Sequence, residues 1–159
     1  MFKDFIPVDR QVINTVNIPD PNWIAGFVTG DGNFDVRITQ QSTNKIGYRV
    51  QLRIRISQHE RDIKLMELLA KYLGSGKIYK SPGKAAVVLT ILNISDITNI
   101  IIHFFEINPL LGIKLLDSID WCKIAKLIKA ATQLTQEGLN LIREIKYGMN
   151  IGRVTPKSF

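Results

Sequence analysis

Two stretches of strict alternation, separated by a short turn, constrain this chain more than anything else in it. Residues 33–41 read NFDVRITQQ, with Phe34, Val36 and Ile38 set against Asn33, Asp35, Arg37 and Thr39. Residues 48–57 read YRVQLRIRIS, with Val50, Leu52, Ile54 and Ile56 set against Arg49, Gln51, Arg53, Arg55 and Ser57. A period of two marks a strand with one buried face. The intervening STNKIG is a turn, so the pair predicts a β-hairpin. A lone hairpin is marginal in water, so other elements must cover its apolar side.

The rest of the chain supplies them. Asp20-Pro21 reads as an N-cap followed by proline at the first helical position, opening a helix that runs to about Gly30. Residues 60–73 carry helical spacing at Ile63, Met66, Leu69, Ala70 and Leu73, and Gly74 and Gly76 stop them. Two short strands follow, KIYK and AVVLTIL, joined by SPGK. Ser95 is expected to cap a third helix through Phe105. After Asn108-Pro109 the chain reads as helical, broken near residues 132–135, and its last helix places Leu139, Ile142, Ile145 and Met149 on one face. Strands paired by such short connections are antiparallel. Helices would then cover one face only, giving an α+β layer.

Length and composition agree with this. The chain has 159 residues, of which 45% are apolar, enough for one domain with a real core. Its apolar runs are short and interrupted, so no membrane span is expected. The opening MFKDFIPVDR has no apolar signal-peptide region. Residues 1–19 read as a lead-in segment, 20–153 as the folded domain and 154–159 as a tail. The single cysteine, Cys122, excludes an internal disulfide and fits a reducing compartment or organelle interior. The net charge is +7 and the pI about 9.6, a balance that favours nucleic acid or an anionic membrane as partner.

The charge is concentrated where the hairpin needs it least. Arg49, Gln51, Arg53 and Arg55 share one face, and Asn33, Asp35, Arg37, Thr39 and Gln41 share it from the neighbouring strand. Lys77 and Tyr79 extend it from the third. Like charges on one strand face are unfavourable. Such a face suits phosphates and groove edges, where Arg reads guanine and Asn or Gln reads adenine. The other reading is a merely solvated face.

The first helix raises a second problem. WIAGFVTGDGNF, residues 23–34, ends a buried-looking helix in Asp31. An Asp at a helix C-terminus costs ~0.3–1 kcal/mol. Gly26 and Gly30 lower helix propensity by about 1 kcal/mol each. Gly26 and Gly30 sit at i and i+4 beside Ala25 and Thr29, so one face is nearly flat and another helix backbone can approach it closely. If that helix were a copy, two Asp31 carboxylates would meet, and they repel unless a divalent cation joins them. Carboxylate oxygens and a helix-end carbonyl suit Mg²⁺. The simpler reading is a turn with a close-packed core glycine.

The same stretch resembles the signature of the LAGLIDADG homing endonucleases, with Ile24-Ala25-Gly26-Phe27-Val28-Thr29-Gly30-Asp31-Gly32 at its nine positions. The element order is similar too, and residues 134–153, LTQEGLNLIREIKYGMNIGR, resemble the C-terminal segment of fungal mitochondrial members. The resemblance covers about residues 18–153. It implies an αββαββα fold whose saddle-shaped antiparallel sheet lies over double-stranded DNA. It also implies that two motif helices pack at the centre, here through Ala25, Gly26, Thr29 and Gly30. Asp31, the last acid of the signature, would bind Mg²⁺, with Ca²⁺ or Mn²⁺ able to substitute, and the Gly30 carbonyl would be an added ligand. The first acid is replaced by Thr29, at a position that varies more in the family. Gln58 matches a polar residue that positions water, and Lys114, in PLLGIKLLD, a basic residue near the cleaved phosphate. A basic partner common four residues after the glutamine is Asp62 here, so that role is not matched.

One motif per chain implies a homodimer on a near-palindromic site, and the family resemblance implies that both strands are cut to leave short 3′ overhangs. The lead-in is similar to the linker and second-repeat entry of two-motif members, so the chain also reads as half of such an enzyme. Family members of this kind are organelle-encoded, which implies a mitochondrial location. The alternatives are a non-cleaving DNA-binding protein or an RNA-binding intron maturase of the same fold, and a basic α+β interaction domain. Arginines on a sheet suit the DNA major groove better than the narrow groove of duplex RNA. Elsewhere, His59 and His103 lack metal-site spacing, Cys122, Met66 and Met149 read as core or boundary residues, and Lys123, Lys126 and Lys129 form a basic helix face.

Overall fold

A computed structural model describes residues 17, 18 and 20–153. Most of the lead-in, and the tail from residue 154, lie outside the described residues. The expected hairpin forms between β1 (Gly32–Gln40) and β2 (Tyr48–His59), with Phe34 opposite Ile54 and Val36 opposite Leu52. With β3 (Lys77–Lys80) and β4 (Ala86–Ile91) it makes a four-stranded, fully antiparallel sheet in the order β1-β2-β4-β3. β2 runs two residues past the expected end at Ser57, because β4 pairs with it as far as His59 opposite Ala86. Gln41, in contrast, lies beyond β1. Its N–H donates to the Gly47 carbonyl at 2.8 Å, which makes it the first residue of the hairpin turn.

The helices lie on the apolar side. α1 (Pro21–Asp31) starts where expected, with Asp20 accepting from the Asn22 N–H at 2.7 Å, and it buries Ile24, Ala25 and Val28. α2 (Ile63–Leu73), entered through a 3₁₀ turn at Glu60–Asp62, buries Met66, Leu69 and Leu73 and ends on left-handed Gly74. The third helix is capped by Asn93, not Ser95. The Asn93 backbone is extended and its Oδ1 accepts from the N–H groups of Ser95 and Asp96, while Ser95 is already inside the helix. That helix is built of α3 (Ile94–Asp96), a π-helical turn (Ile97–Ile101) and α4 (Ile102–Ile107). α5 (Gly112–Lys129) carries Trp121 into the centre of the core, where its ring meets Phe34 edge to face at 5.2 Å and its N–H donates to the Asp35 carbonyl at 3.2 Å. A 3₁₀ turn (Thr132–Leu134) and α6 (Gln136–Tyr147) follow, with Thr135 capping α6. Gly138 is obligatory there, since a Cβ would lie 1.9 Å from the Thr132 carbonyl oxygen. No helix among the described residues is long and apolar enough to cross a membrane.

Candidate nucleic-acid interface and catalytic centre

Strand pairing decides which polar side chains share the open face of the sheet. Asn33 lies opposite Arg55, Asp35 opposite Arg53, Arg37 opposite Gln51 and Thr39 opposite Arg49. Arg55 lies opposite Thr90 of β4, which lies opposite Lys77 of β3, and Tyr79 follows on the same side opposite Val88. The pleat therefore gathers Asn33, Asp35, Arg37, Thr39, Arg49, Gln51, Arg53, Arg55, Lys77 and Tyr79 onto one face. Of the expected set only Gln41 departs, turned into the hairpin loop, where its side chain accepts from Asn44. The face is not uniformly free. Arg53 forms an ion pair with Asp35, its Nε donating to Oδ2 at 2.8 Å, and both are half-buried. Arg37 and Arg49 are exposed. At the far end of β2, the Arg143 guanidinium from α6 stacks on Tyr48 at 4.7 Å, a contact that no spacing in the sequence announces.

At the other end of the hairpin, α1 delivers Asp31 directly into β1. The carboxylate is exposed and its Oδ2 accepts from Gln58 Nε2 at 3.0 Å. The Gln58 amide is oriented by its own Oε1, which accepts from the His59 N–H at 3.0 Å, so its nitrogen must face Asp31. The Gly30 carbonyl lies in the last turn of α1, where helix geometry supplies no intrahelical donor. Lys114, on the first turn of α5, donates its ammonium to the Gly32 carbonyl, one residue beyond Asp31. That partner is a neutral carbonyl, not a carboxylate. The three residues expected to be catalytic, Asp31, Gln58 and Lys114, thus meet where the end of α1, the end of β2 and the start of α5 converge. Asp62 belongs to the turn before α2, ion-paired with its neighbour Arg61.

The flat face of α1 is narrower than expected. Ala25 is turned into the core and is 5% exposed. Gly26 and Gly30 are exposed, and a Cβ built on either meets nothing within 4 Å, so nothing among the described residues requires glycine there. Thr29, half-buried, stitches α1 to the α5 entry: its Oγ1 donates to the Ala25 carbonyl at 2.7 Å and accepts from the Leu111 N–H at 3.3 Å.

Sequence reasoning missed one constellation beside this centre. Asp117 is 3% exposed and accepts from the Asn150 N–H and from Arg153 Nε, both at 3.0 Å. Arg153 also reaches Asp120 at 2.6 Å. Burial alone would raise the Asp120 carboxyl, but hydrogen bonds from Lys123 and Arg153 outweigh it and hold the group below its ordinary value. The Asp120 hydrogen bond likewise raises the Arg153 guanidinium. The available signal was Asp117 itself, a carboxylate four residues before Trp121 on the buried stripe of α5.

The donor set at Asp31 is chemically suited to a divalent cation, being a hard carboxylate beside a carbonyl oxygen. The described residues contain no cluster of three His, Cys, Asp or Glu side chains.

Comparison with known proteins bears on both features. A family model described as LAGLIDADG endonuclease matches residues 24–125. A protein of Neurospora crassa described as probable intron-encoded endonuclease 3 is 56% identical over 143 residues, 89% of this chain and 26% of that protein. Among solved structures, the I-SmaMI LAGLIDADG homing endonuclease bound to cleaved DNA superimposes with a TM-score of 0.93 at 45% identity, over 96% of this chain and 51% of that one. I-SmaMI bound to an uncleaved DNA target in the presence of calcium ions superimposes with a TM-score of 0.91 at 46% identity, over 94% and 51%. The chain therefore spans about half the length of these solved relatives and about a quarter of the curated one.

Proposed function

Because the chain belongs to the LAGLIDADG endonuclease family, we propose that it is a site-specific, metal-dependent endonuclease of double-stranded DNA, acting as one of two αββαββα units across one target. The observation that carries this reading is the exposed Asp31 carboxylate, oriented by Gln58 and flanked by Lys114, at the margin of the basic sheet face. The second unit is a copy of the chain, seated on the glycine face of α1, and the site is accordingly long and near-palindromic. Cutting leaves short 3′ overhangs. The intron-encoded relative supports an organellar, mitochondrial origin.

Asp31 and the Gly30 carbonyl would hold the cation, for which Mg²⁺ is the natural choice. Once bound, such an ion makes water more acidic and stabilises the leaving 3′ oxygen. The chain's own residues do the rest. Gln58 fixes one carboxylate oxygen of the exposed Asp31 and leaves the other for the cation. Lys114, which has no carboxylate partner among the described residues, offsets charge that develops on the phosphate. The exposed arginines bind phosphates, and the Arg53–Asp35 pair presents a pre-oriented guanidinium to a base edge.

Two assays on one preparation test the reading: duplex binding in Ca²⁺ and strand scission in Mg²⁺, for the native chain and for Asp31→Asn. The expected variant binds and does not cut. A native chain that binds without cutting would place the protein with non-cleaving binders of the same fold.

A further inference from the structure

Lys114 occupies a first turn that its own helix holds poorly. Leu111, at the N-cap of α5, offers no side-chain hydrogen bond, and Gly112 has φ +61. Leu111 is 69% exposed and Ile113 51%. The buried Leu110 and the Thr29–Leu111 hydrogen bond tie the N-terminal side of the turn, and polar ties lie on its C-terminal side. Asp117 lies one turn after Lys114 on the same face. It accepts from the Asn150 N–H and from Arg153. The Asn150 side chain then crosses to β1, donating from Nδ2 to the Phe34 carbonyl at 3.0 Å and accepting from Asn33 at 3.4 Å.

The free edge of β1 is thus met twice from outside, by Lys114 at the Gly32 carbonyl and by Asn150 at the Phe34 carbonyl. One residue, Asn150, joins β1 to α5 beside the Lys114–Gly32 contact. Its backbone has φ +52, a conformation uncommon outside glycine and most accessible to Asn and Asp. The following turn is equally constrained, because a Cβ on Gly152 would lie 2.0 Å from the Tyr147 carbonyl oxygen. Backbone of this kind persists only where its surroundings over-determine it.

We infer that the turn at Asn150–Gly152, anchored by Asp117 and Arg153, is a positioning clamp that sets the Lys114 ammonium against the Asp31 end of α1. Asn150, Asp117 and Arg153 are positioning residues, and their assignment rests on the endonuclease reading for its catalytic consequence. Misplacement of a catalytic group by about 1 Å costs on the order of 10²-fold in rate. Of the sheet face, Asn33 alone among the described residues is hydrogen-bonded to this turn, so binding by the arginines of that face should be preserved.

The test uses the full chain with Asn150→Gly, which keeps the left-handed backbone and removes only the bridge. Arg153→Ala and Arg153→Lys serve as a loss and rescue pair. The first readout is the rate of acylation at Lys114, followed residue by residue against Lys126 and Lys129. It should rise several-fold at Lys114 alone in Asn150→Gly and in Arg153→Ala, and fall back towards native in Arg153→Lys. The second is single-turnover scission of duplex recovered from a randomised pool, with affinity measured in Ca²⁺. Scission should fall by about 10–10²-fold with affinity within a factor of about two. Unchanged Lys114 labelling, or a uniform rise at all lysines, would overturn the clamp. A native chain that cuts no duplex would overturn the endonuclease reading, and the labelling result would still decide whether the clamp exists.

Discussion

Asp31 is the residue on which sequence and structure place the most weight, at a helix end where its charge is unfavourable to folding alone. Asp31→Asn should therefore abolish scission while leaving the melting temperature unchanged or raised, as calorimetry can show. At the opposite extreme is Cys122. Burial pushes its thiol up to about 11, with Glu106 adding to the effect, so it stays protonated at neutral pH. Alkylation of the native chain at pH 7.5 should be slow and should become fast only in denaturant. Asp120 gives the pH dependence. Its folded pKa lies below the ordinary 3.8, so its contribution to stability is present above that value and is lost as pH falls through the folded pKa. Native chain should lose more stability between neutral pH and pH 3 than Asp120→Asn, by thermal melts. The residue types at the site were legible because Asp31, Gln58 and Lys114 stand at positions the family signature and its neighbourhood mark. Asn150 and Arg153 were not legible, since their partners Asp117 and Phe34 lie far away in sequence and no local period joins them.

At the scale of elements, the hairpin was readable because alternation with one buried face fixes strand register strongly. Its end was misread at Gln41 because a turn hydrogen bond to Gly47 prevailed over a polar pattern that continued. The cap of the third helix was misread because Asn93 and Ser95 are both competent caps, and only the extended backbone at Asn93 decides between them. The same elements make distinct predictions. Gly26 is exposed with open space around it, so Gly26→Ala should stabilise the isolated chain by up to about 1 kcal/mol in urea melts. Gly26→Leu should leave the fold intact and weaken self-association, read by sedimentation. Gly138→Ala meets the Thr132 carbonyl instead and should destabilise by at least about 1–3 kcal/mol.

For the whole molecule, the arrangement divides labour between two faces. Helices and sheet bury one core, with Trp121, Phe34 and Leu52 at its centre, while the opposite face of the sheet carries the arginines. Affinity from that face should be steeply salt-dependent, because each phosphate neutralised releases counterions. Replacing Arg37 and Arg49, which are exposed, should lower the slope of log affinity against log salt by about one per residue. Among the described residues, by contrast, no three His, Cys, Asp or Glu side chains cluster, and the chain covers half the length of the solved relatives. Both agree with the proposal that the scissile site lies between two units.

The most direct measurement of that claim is cleavage selection from a randomised duplex pool with the native chain in Mg²⁺, beside Asp31→Asn. Recovered ends with two-fold symmetric sequence, short 3′ overhangs and dependence on both Mg²⁺ and Asp31 are the predicted result. Ends that lack symmetry, or that persist with Asp31→Asn, would contradict the account.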